Sequence, residues 1–557
     1  MKSISIISFF LFQSYLFSQV FEGITLLTNL GGAENIEHKT RLINNNFEEI
    51  NIWNHNYVPF SIGYLSPDSI LTIGYKPDFD EGTDPKIVKL NWSGDIIWEI
   101  SIPVDTLEPH HDIEPLPNGN ILLIGWETKT IDEATQVGRI NVTEDFKPDK
   151  ILEIQPIGSD NYEIVWEWKI WDHIIQDINP DLDNYGNISD SPRLVDINLI
   201  GIGVGNGDWM HTNAISYNES LDQIILSVRH LCELWVIDHS TTTDESSGHT
   251  GGDAGFGGDI LYRWGNPGNY DRGDESDQIF YAQHGINWIP QTYPGGGNIL
   301  VFNNRHDIHN SAVLEIIPIN DEYGNYYIGE EEAFLPETFE WIYQENFFSF
   351  NQSGVFRLPN GNTLITVSAQ DLIREVNNTG GILWQYQYTS GGFIPRAIKY
   401  GIDYLSHQIS VEININFSQD WNLIGLPLVV DDNNYLTIFP DAIENTLFSF
   451  DDDAYTPDSI MIAGDGFWLR FQSNGNTTIS GNSINEITIG LNEGWNLISG
   501  ISTPINIYNL QDPDGVIIPG TVYGFTSGGY YNTENIEPGK GYWVRTNSSG
   551  FISLVSH

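Results

Sequence analysis

Arginine and histidine are scarce in this chain, so the few that recur at matching places are informative. His110 and His111 stand in Glu-Pro-His-His-Asp-Ile, His211 in Gly-Asp-Trp-Met-His-Thr-Asn-Ala, and His284 in Tyr-Ala-Gln-His-Gly-Ile. Each precedes a segment of apolar strand, polar turn and second apolar strand, and Arg229 closes the second strand of the segment that His211 opens. In an antiparallel pair the end of the second strand lies beside the start of the first, so Arg229 and His211 are expected to be neighbours. Asn303, Asn304 and Arg305 end the following hairpin and hold the same place there as Arg229. Imidazoles with a permanent guanidinium suit an anion such as a sulfuryl or phosphoryl group, whose peripheral oxygens gather charge as it moves. One neutral imidazole could attack that group and hold it covalently.

Two other chemistries fit less well. A catalytic zinc site calls for tight local ligand spacing; no His-x-x-x-His or His-Glu-x-x-His occurs, and an arginine among the histidines repels a cation. Glycoside hydrolysis needs a carboxylate pair. Asp112 and Asp208 lie nearby, but no sialidase-type repeats accompany them. The run from Asp177 through Asp181 to Asp183 alternates oxygen ligands but lacks the glycine and glutamate of an EF-hand loop. The glycine-rich tract 248–258 reads as a mobile loop, since no helix start follows it to cradle a phosphate. No cofactor or metal is expected.

The elements that must position these residues form a repeat. Pro115-Leu-Pro-Asn-Gly-Asn-Ile-Leu-Leu-Ile and Arg357-Leu-Pro-Asn-Gly-Asn-Thr-Leu-Ile-Thr are its clearest copies, with looser ones at Tyr64, Ser216 and Gly295. Asn-Gly between apolar runs signals a hairpin. A tryptophan-bearing strand recurs out of phase at Trp53, Trp98, Trp166, Trp264, Trp341 and Trp384. Six such tails imply six units, the first using the stretch from Gly23, and units of this size made of strand and turn fit an all-β, six-bladed β-propeller over residues 19–405. The tryptophans are expected to fill space between blades. Beyond it, over 406–557, Trp421-Asn-Leu-Ile-Gly and Gly464-Asp-Gly-Phe-Trp468-Leu-Arg are echoed by Trp495-Asn-Leu-Ile-Ser and Gly539-Lys-Gly-Tyr-Trp543-Val-Arg. That is a duplicated small β module with no titratable cluster, expected to bind or to space.

Taken together, these motifs resemble the arylsulfate sulfotransferases. The resemblance rests on His111-Asp-Ile-Glu-Pro-Leu-Pro-Asn-Gly-Asn, Trp171-Asp-His-Ile-Ile-Gln-Asp, Asp208-Trp-Met-His-Thr-Asn, Ser227-Val-Arg, Gln283-His-Gly and Gly354-Val-Phe-Arg-Leu-Pro-Asn-Gly-Asn-Thr-Leu-Ile, and runs from about residue 21 to 405. It implies a six-bladed propeller that moves a sulfuryl group from an aryl sulfate donor to a phenolic acceptor without a nucleotide donor. It further implies His284 as the nucleophile that becomes a transient sulfohistidine, and His211 and Arg229 as ligands of the sulfuryl oxygens. Either His110 or His111 takes the remaining histidine position; His111 abuts the hairpin, but adjacent residues face opposite sides of a strand. Asn303 and Arg305 are candidate substrate contacts on the rim. The sequence departs from enterobacterial members in leaving no room for their N-terminal β domain, in lacking a disulfide and in carrying the duplicated module. The rival classes are a non-catalytic exported propeller that binds polysaccharide or peptide, and an aryl sulfate hydrolase.

Composition sets the surroundings. The 557 residues hold 75 acidic and 23 basic side chains, a formal charge of −52. Clustered basic residues for phosphate are therefore missing and nucleic acid is excluded as a partner. At 40% hydrophobic the chain can still bury cores, so the charge belongs to its surface. Cys232 is the only cysteine. One lysine, an apolar stretch from Ile4 to Phe17 and a small residue at Ser18 read as a signal peptide over 1–18, placing the mature chain in the periplasm or outside the cell. No later stretch is long enough to span a membrane.

Overall fold

The computed structural model describes residues 19–555 apart from 33–37, 77–82, 203–206, 308, 322, 346, 389–391, 406–409, 431, 452–453, 485 and 514. The expected signal peptide lies outside the described residues. The chain divides into two compact units, one of residues 1–66 and 70–401, the other of 402–557 with 67–69.

The first unit contains six four-stranded antiparallel sheets. In blades 2 to 6 the strands follow chain order, with first strands Tyr64–Leu65, Glu108–Pro115, Thr212–Asn218, His284–Trp288 and Gly354–Arg357. First strands of blades 3, 4, 5 and 6 pack on one another in succession and so line the centre. Asn118 and Gly119 turn blade 3 from its first to its second strand, Gly119 at φ 89°, where a side chain is strained. Blade 1 uses the stretch from Gly23, as expected, but not as its first strand. The stretch from Gly23 is its second strand; its inner strand is Ala397–Gly401, which pairs Gly23 with Gly401 and Leu27 with Ala397 and closes the ring.

The apolar cores lie between blades. One joins Ile124, Trp166 and Trp168 of blade 3 to Ile215, Leu226 and Trp235 of blade 4, and another joins Val236 and Trp264 of blade 4 to Ile286 and Leu314 of blade 5. The recurrent tryptophans do more than fill space. Each donates its indole N–H to the next blade around the ring: Trp53 to Asn91 O, Trp98 to Asn161 O, Trp166 to Thr241 Oγ1, Trp264 to Pro336 O, Trp341 to Asn378 O and Trp384 to Asn45 O, at 2.6–3.2 Å. A large apolar ring with one donor satisfies both needs of such a seam. The glycine tract 248–258 is folded rather than open: Gly258 N donates to Gly248 O, Gly257 N to Gly251 O, and Trp168 Nε1 to Gly258 O at 2.7 Å.

The second unit is a duplication. In its first copy Asp420–Gly425 pairs with Gly466–Phe471, which meets the hairpin of Phe448–Asp451 and Ala454–Pro457. In its second copy Gly494–Ser499, Gly541–Thr546, Tyr523–Thr526 and Gly529–Asn532 repeat that order. The copies meet through matched contacts, Gly425 N to Gly539 O and Ser499 N to Gly464 O. No helix among the described residues is long and apolar enough to cross a membrane.

Candidate active site

Blades 3, 4 and 5 begin alike. In each, the pairing of first and second strands shifts register near the start, between Leu123 and Gly125, between Thr212 and Ile215, and between His284 and Asn287. Left-handed residues lie within or just before these shifts, His111 at φ 60° inside that of blade 3, His211 at 54° just before that of blade 4, and Ala282 at 56° two residues ahead of His284 in blade 5. A bulge with such a residue re-aims side chains that a regular strand would send to alternating faces. Here it brings His111, His211 and His284 toward one another.

The rings of His111 and His211 lie 4.4 Å apart, and His211 stacks on His230 at 4.6 Å. The bulge also decides between the two adjacent histidines. His110 is buried against Trp126 at 4.1 Å with Nε2 3.3 Å from Asp149, whereas His111 faces His211. The two remain linked through their Nδ1 atoms, 2.8 Å apart. His110 is thus a support of His111 and not a rim residue.

His284 has a fixed tautomer. The Asn304 side-chain amide donates to Ser349 O at 3.0 Å and Gln352 O at 2.8 Å, which turns its Oδ1 to His284 Nδ1 at 2.7 Å. Ala282 O lies 3.0 Å from the same nitrogen. Two acceptors place the proton on Nδ1 and leave Nε2 a free lone pair. Burial, and next the charge of Arg229, lower the His284 pKa to about 3, so the ring is neutral at pH 7. Burial and the neighbouring histidines hold His111 well below its ordinary value, and His230 falls to about 4.

Arg229 is half-buried beside this ring, and among the described residues no acid pairs with its guanidinium. Its pKa is lowered by burial and then by Arg305, an exposed residue near enough to repel it. Two cations with no carboxylate in direct contact among the described residues, Asp208 acting on Arg229 only at longer range, suit an anion. Asn303 is not part of it: its amide accepts from Tyr281 N and donates to Ile279 O, both at 2.9 Å, holding the 279–281 loop.

Asp208 completes the group. Its carboxylate accepts from His211 Nδ1 and, at 3.2 Å, from Trp126 Nε1. Burial works against its ionisation, but the bond to His211 outweighs it and holds the carboxyl below its ordinary range. His211 therefore keeps its proton on Nδ1 and presents Nε2. Next to His111 in the chain, Asp112 forms a buried pair with Arg396, Nη2 to Oδ1 at 2.5 Å, with the Tyr64 hydroxyl bonded to both, so its charge is matched and it is not half of a glycosidase pair.

Two trios offer ligand atoms within 4.8 Å of one another, Asp208 with His211 and His230, and His173 with His249 and Asp259. Arg229 adjoins the first, which disfavours a cation there. His230 carries no signal in the repeat, and Asp208 is read there only as a nearby carboxylate and as part of the motif of His211. Asn304 shares with Asn303 and Arg305 a place at the end of its hairpin that matches that of Arg229 in the preceding one.

The sequence matches the family described as Arylsulfotransferase (ASST) over residues 65–420. No curated protein matches it. Similar solved structures include a protein of unknown function from Bacteroides caccae, at 12% identity over 68% of this chain and 98% of that one with a TM-score of 0.37. The periplasmic gluconolactonase of Pseudomonas aeruginosa gives 9%, 68%, 99% and 0.37, and virginiamycin B lyase from Staphylococcus aureus 12%, 65%, 86% and 0.31. Likenesses this distant carry no argument about chemistry.

Proposed function

The chain belongs to the arylsulfotransferase family, and from that premise we propose that its propeller transfers a sulfuryl group from an aryl sulfate to a phenol through a sulfohistidine at His284. The reading rests on one observation above all, the neutral His284 whose Nε2 lone pair is set by Asn304 beside an arginine without an acid partner.

A sulfate monoester carries one negative charge. Arg229 offers a planar fork to two sulfuryl oxygens, and His111 lines the opposite side. His284 Nε2 attacks sulfur, the N–S bond forms, and the S–O bond to the aryl group breaks with its electron pair leaving on the phenolate. The positive charge that grows on the imidazole is met at Nδ1–H by the oxygens of Asn304 and Ala282. The aryl oxygen leaves as phenolate, and in the second half-reaction His211, held at Nδ1 by Asp208, takes the proton of the incoming phenol at Nε2 and passes it to solvent, while the phenol oxygen attacks sulfur and returns the N–S pair to His284. Two half-reactions at one nitrogen require ping-pong kinetics.

The test is to incubate the protein with 4-nitrophenyl sulfate, with and without phenol. Release that depends on phenol, with a sulfuryl adduct on His284 when phenol is withheld, is the expected result. Release without acceptor identifies a hydrolase instead, and no release leaves the non-catalytic reading. The apolar N-terminal segment supports export of the chain, which fractionation of cells producing it tests.

A further inference from the structure

The seam of the duplicated unit carries two aromatic grooves that the sulfuryl chemistry does not use. One, of about 470 Å³, is lined by Trp495, Trp543, Tyr523 and Tyr530 of the second copy with Phe450 and Tyr455 of the first. The other, of about 390 Å³, exchanges the copies: Trp421, Trp468 and Phe448 form its wall, and Phe525 reaches in from the second copy. The correspondence extends to geometry. Trp421 and Trp468 lie 6.3 Å apart at 89°, Trp495 and Trp543 6.2 Å apart at 87°, and each inner tryptophan meets the other copy's phenylalanine at 4.7 Å.

Each groove has a platform at its rim. Trp421 and Trp495 are each 39% exposed. An arginine lies over each, Arg470 at 6.0 Å from Trp421 and Arg545 at 5.7 Å from Trp495. A tryptophan held against a guanidinium is a rigid flat surface. Arg470 also donates to Asp420 at 2.9 Å, so that rim offers donors and an acceptor side by side. Deeper in, the Trp468 indole N–H has no partner among the described residues, and that of Trp543 faces the Tyr530 hydroxyl without a bond of ordinary geometry.

We infer that the two grooves bind neutral polysaccharide. A pyranose presents C–H groups on a face and hydroxyls around its edge, and each hydroxyl both donates and accepts. An aromatic platform bordered by a guanidinium, joined in the first groove by a carboxylate and the open Trp468 N–H and in the second by the Tyr530 hydroxyl, matches that pattern. An extended proline-rich peptide shows mainly carbonyl acceptors, which the Asp420 carboxylate would repel. Residues 402–557 hold 18 acids against 3 bases, and that surface repels a polyanion. A repeated site fits a repeating ligand, because one chain that spans both grooves gains avidity.

The test is affinity electrophoresis of the full chain through gels containing laminarin, xylan or hydroxyethyl cellulose, with carrageenan and a proline-rich peptide as comparators. Retardation by at least one neutral glycan is expected, weakened about tenfold or more by Trp421→Ala or by Trp495→Ala and lost in the double variant. Tyr455→Ala, on an exposed hairpin and common to both grooves, weakens binding as well and guards against misfolding of the tryptophan variants. The inference is overturned by no retardation in any neutral gel, by retardation in carrageenan alone, by binding of the proline-rich peptide at these residues, or by a groove-dependent dimer with no glycan bound.

Discussion

Blades 3, 4 and 5 and blade 6 come from the same hairpin repeat, yet only the former lead into the histidine cluster. Blade 6 keeps unbroken register from Gly354 opposite Thr366 to Arg357 opposite Thr363, and its Arg357 is spent on Glu315. The other three each insert a shift at the inner rim. Repetition supplies the ring, and the site arises where three repeats are each broken at the start of the first strand, by two inserted residues in blade 3 and by one in blades 4 and 5. A bulge costs ladder bonds but turns a side chain out of the alternating pattern and into the channel.

The sharpest way to break this comparison is His284→Ala, which is expected to reduce transfer to background while the protein stays folded; near-normal turnover of an aryl sulfate would remove the proposed nucleophile. Arg229→Ala comes next, with a loss of about 10²–10³ in kcat, the scale of removing one donor to a charge-gathering oxygen. Arg229→Lys should recover part of that loss, since an ammonium keeps the charge but not the fork. Asn304→Ala should cost about 10–100-fold, as partners that orient a reacting group do. Asn304→Asp keeps the acceptor and adds charge, so the acid limb of the rate profile, which His284 sets near pH 3, should move upward. A purely structural asparagine would leave that limb in place.

A histidine outside the bulges supplies a contrast in stability. His239 bridges Asp222 at 2.6 Å and Glu153 at 3.0 Å, and its pKa is raised to about 9, burial opposing and the two carboxylates outweighing it. Its contribution is complete below the ordinary histidine value of about 6.5 and is lost as pH rises through 9. The Tm difference between the wild type and His239→Gln should therefore be largest near pH 6 and shrink by pH 10. The smallest effect is expected from salt. The acidic surface repels an anionic donor, so raising ionic strength should increase kcat/KM by about two- to threefold. A steep fall with the fold intact would mean that local cations dominate the approach instead.

Much of this arrangement is readable in the sequence, and the limits have physical causes. That His211 and Arg229 lie close follows from hairpin geometry, because the start of one strand and the end of its partner are adjacent by construction, and His284 joins them through its equivalent place in the next blade. The choice between His110 and His111 does not follow, since it depends on a left-handed residue that reverses the parity of the strand. The same ambiguity hid Asn304: Asn303 and Asn304 are chemically alike, and only the bonds to Ser349 and Gln352 turn the second toward His284. The tryptophan ring was legible as a period, but not its donors, because their acceptors lie one blade away. Nor could the pattern around Gly23 reveal that its inner neighbour comes from the far end of the unit.

That last pairing governs how the ring is made. Three strands of blade 1 emerge first during synthesis and stay without their inner partner until Ala397–Gly401 has been produced. Closing so long a loop is entropically late, and a native topology dominated by such distant contacts folds slowly. Until that moment Gly23–Thr28 presents an open strand edge, the kind that pairs with other chains. Synthesis halted before residue 397 would leave an incomplete ring prone to self-association, whereas a permuted chain in which Ala397–Gly401 directly preceded Gly23 would form blade 1 as a local hairpin and escape the delay.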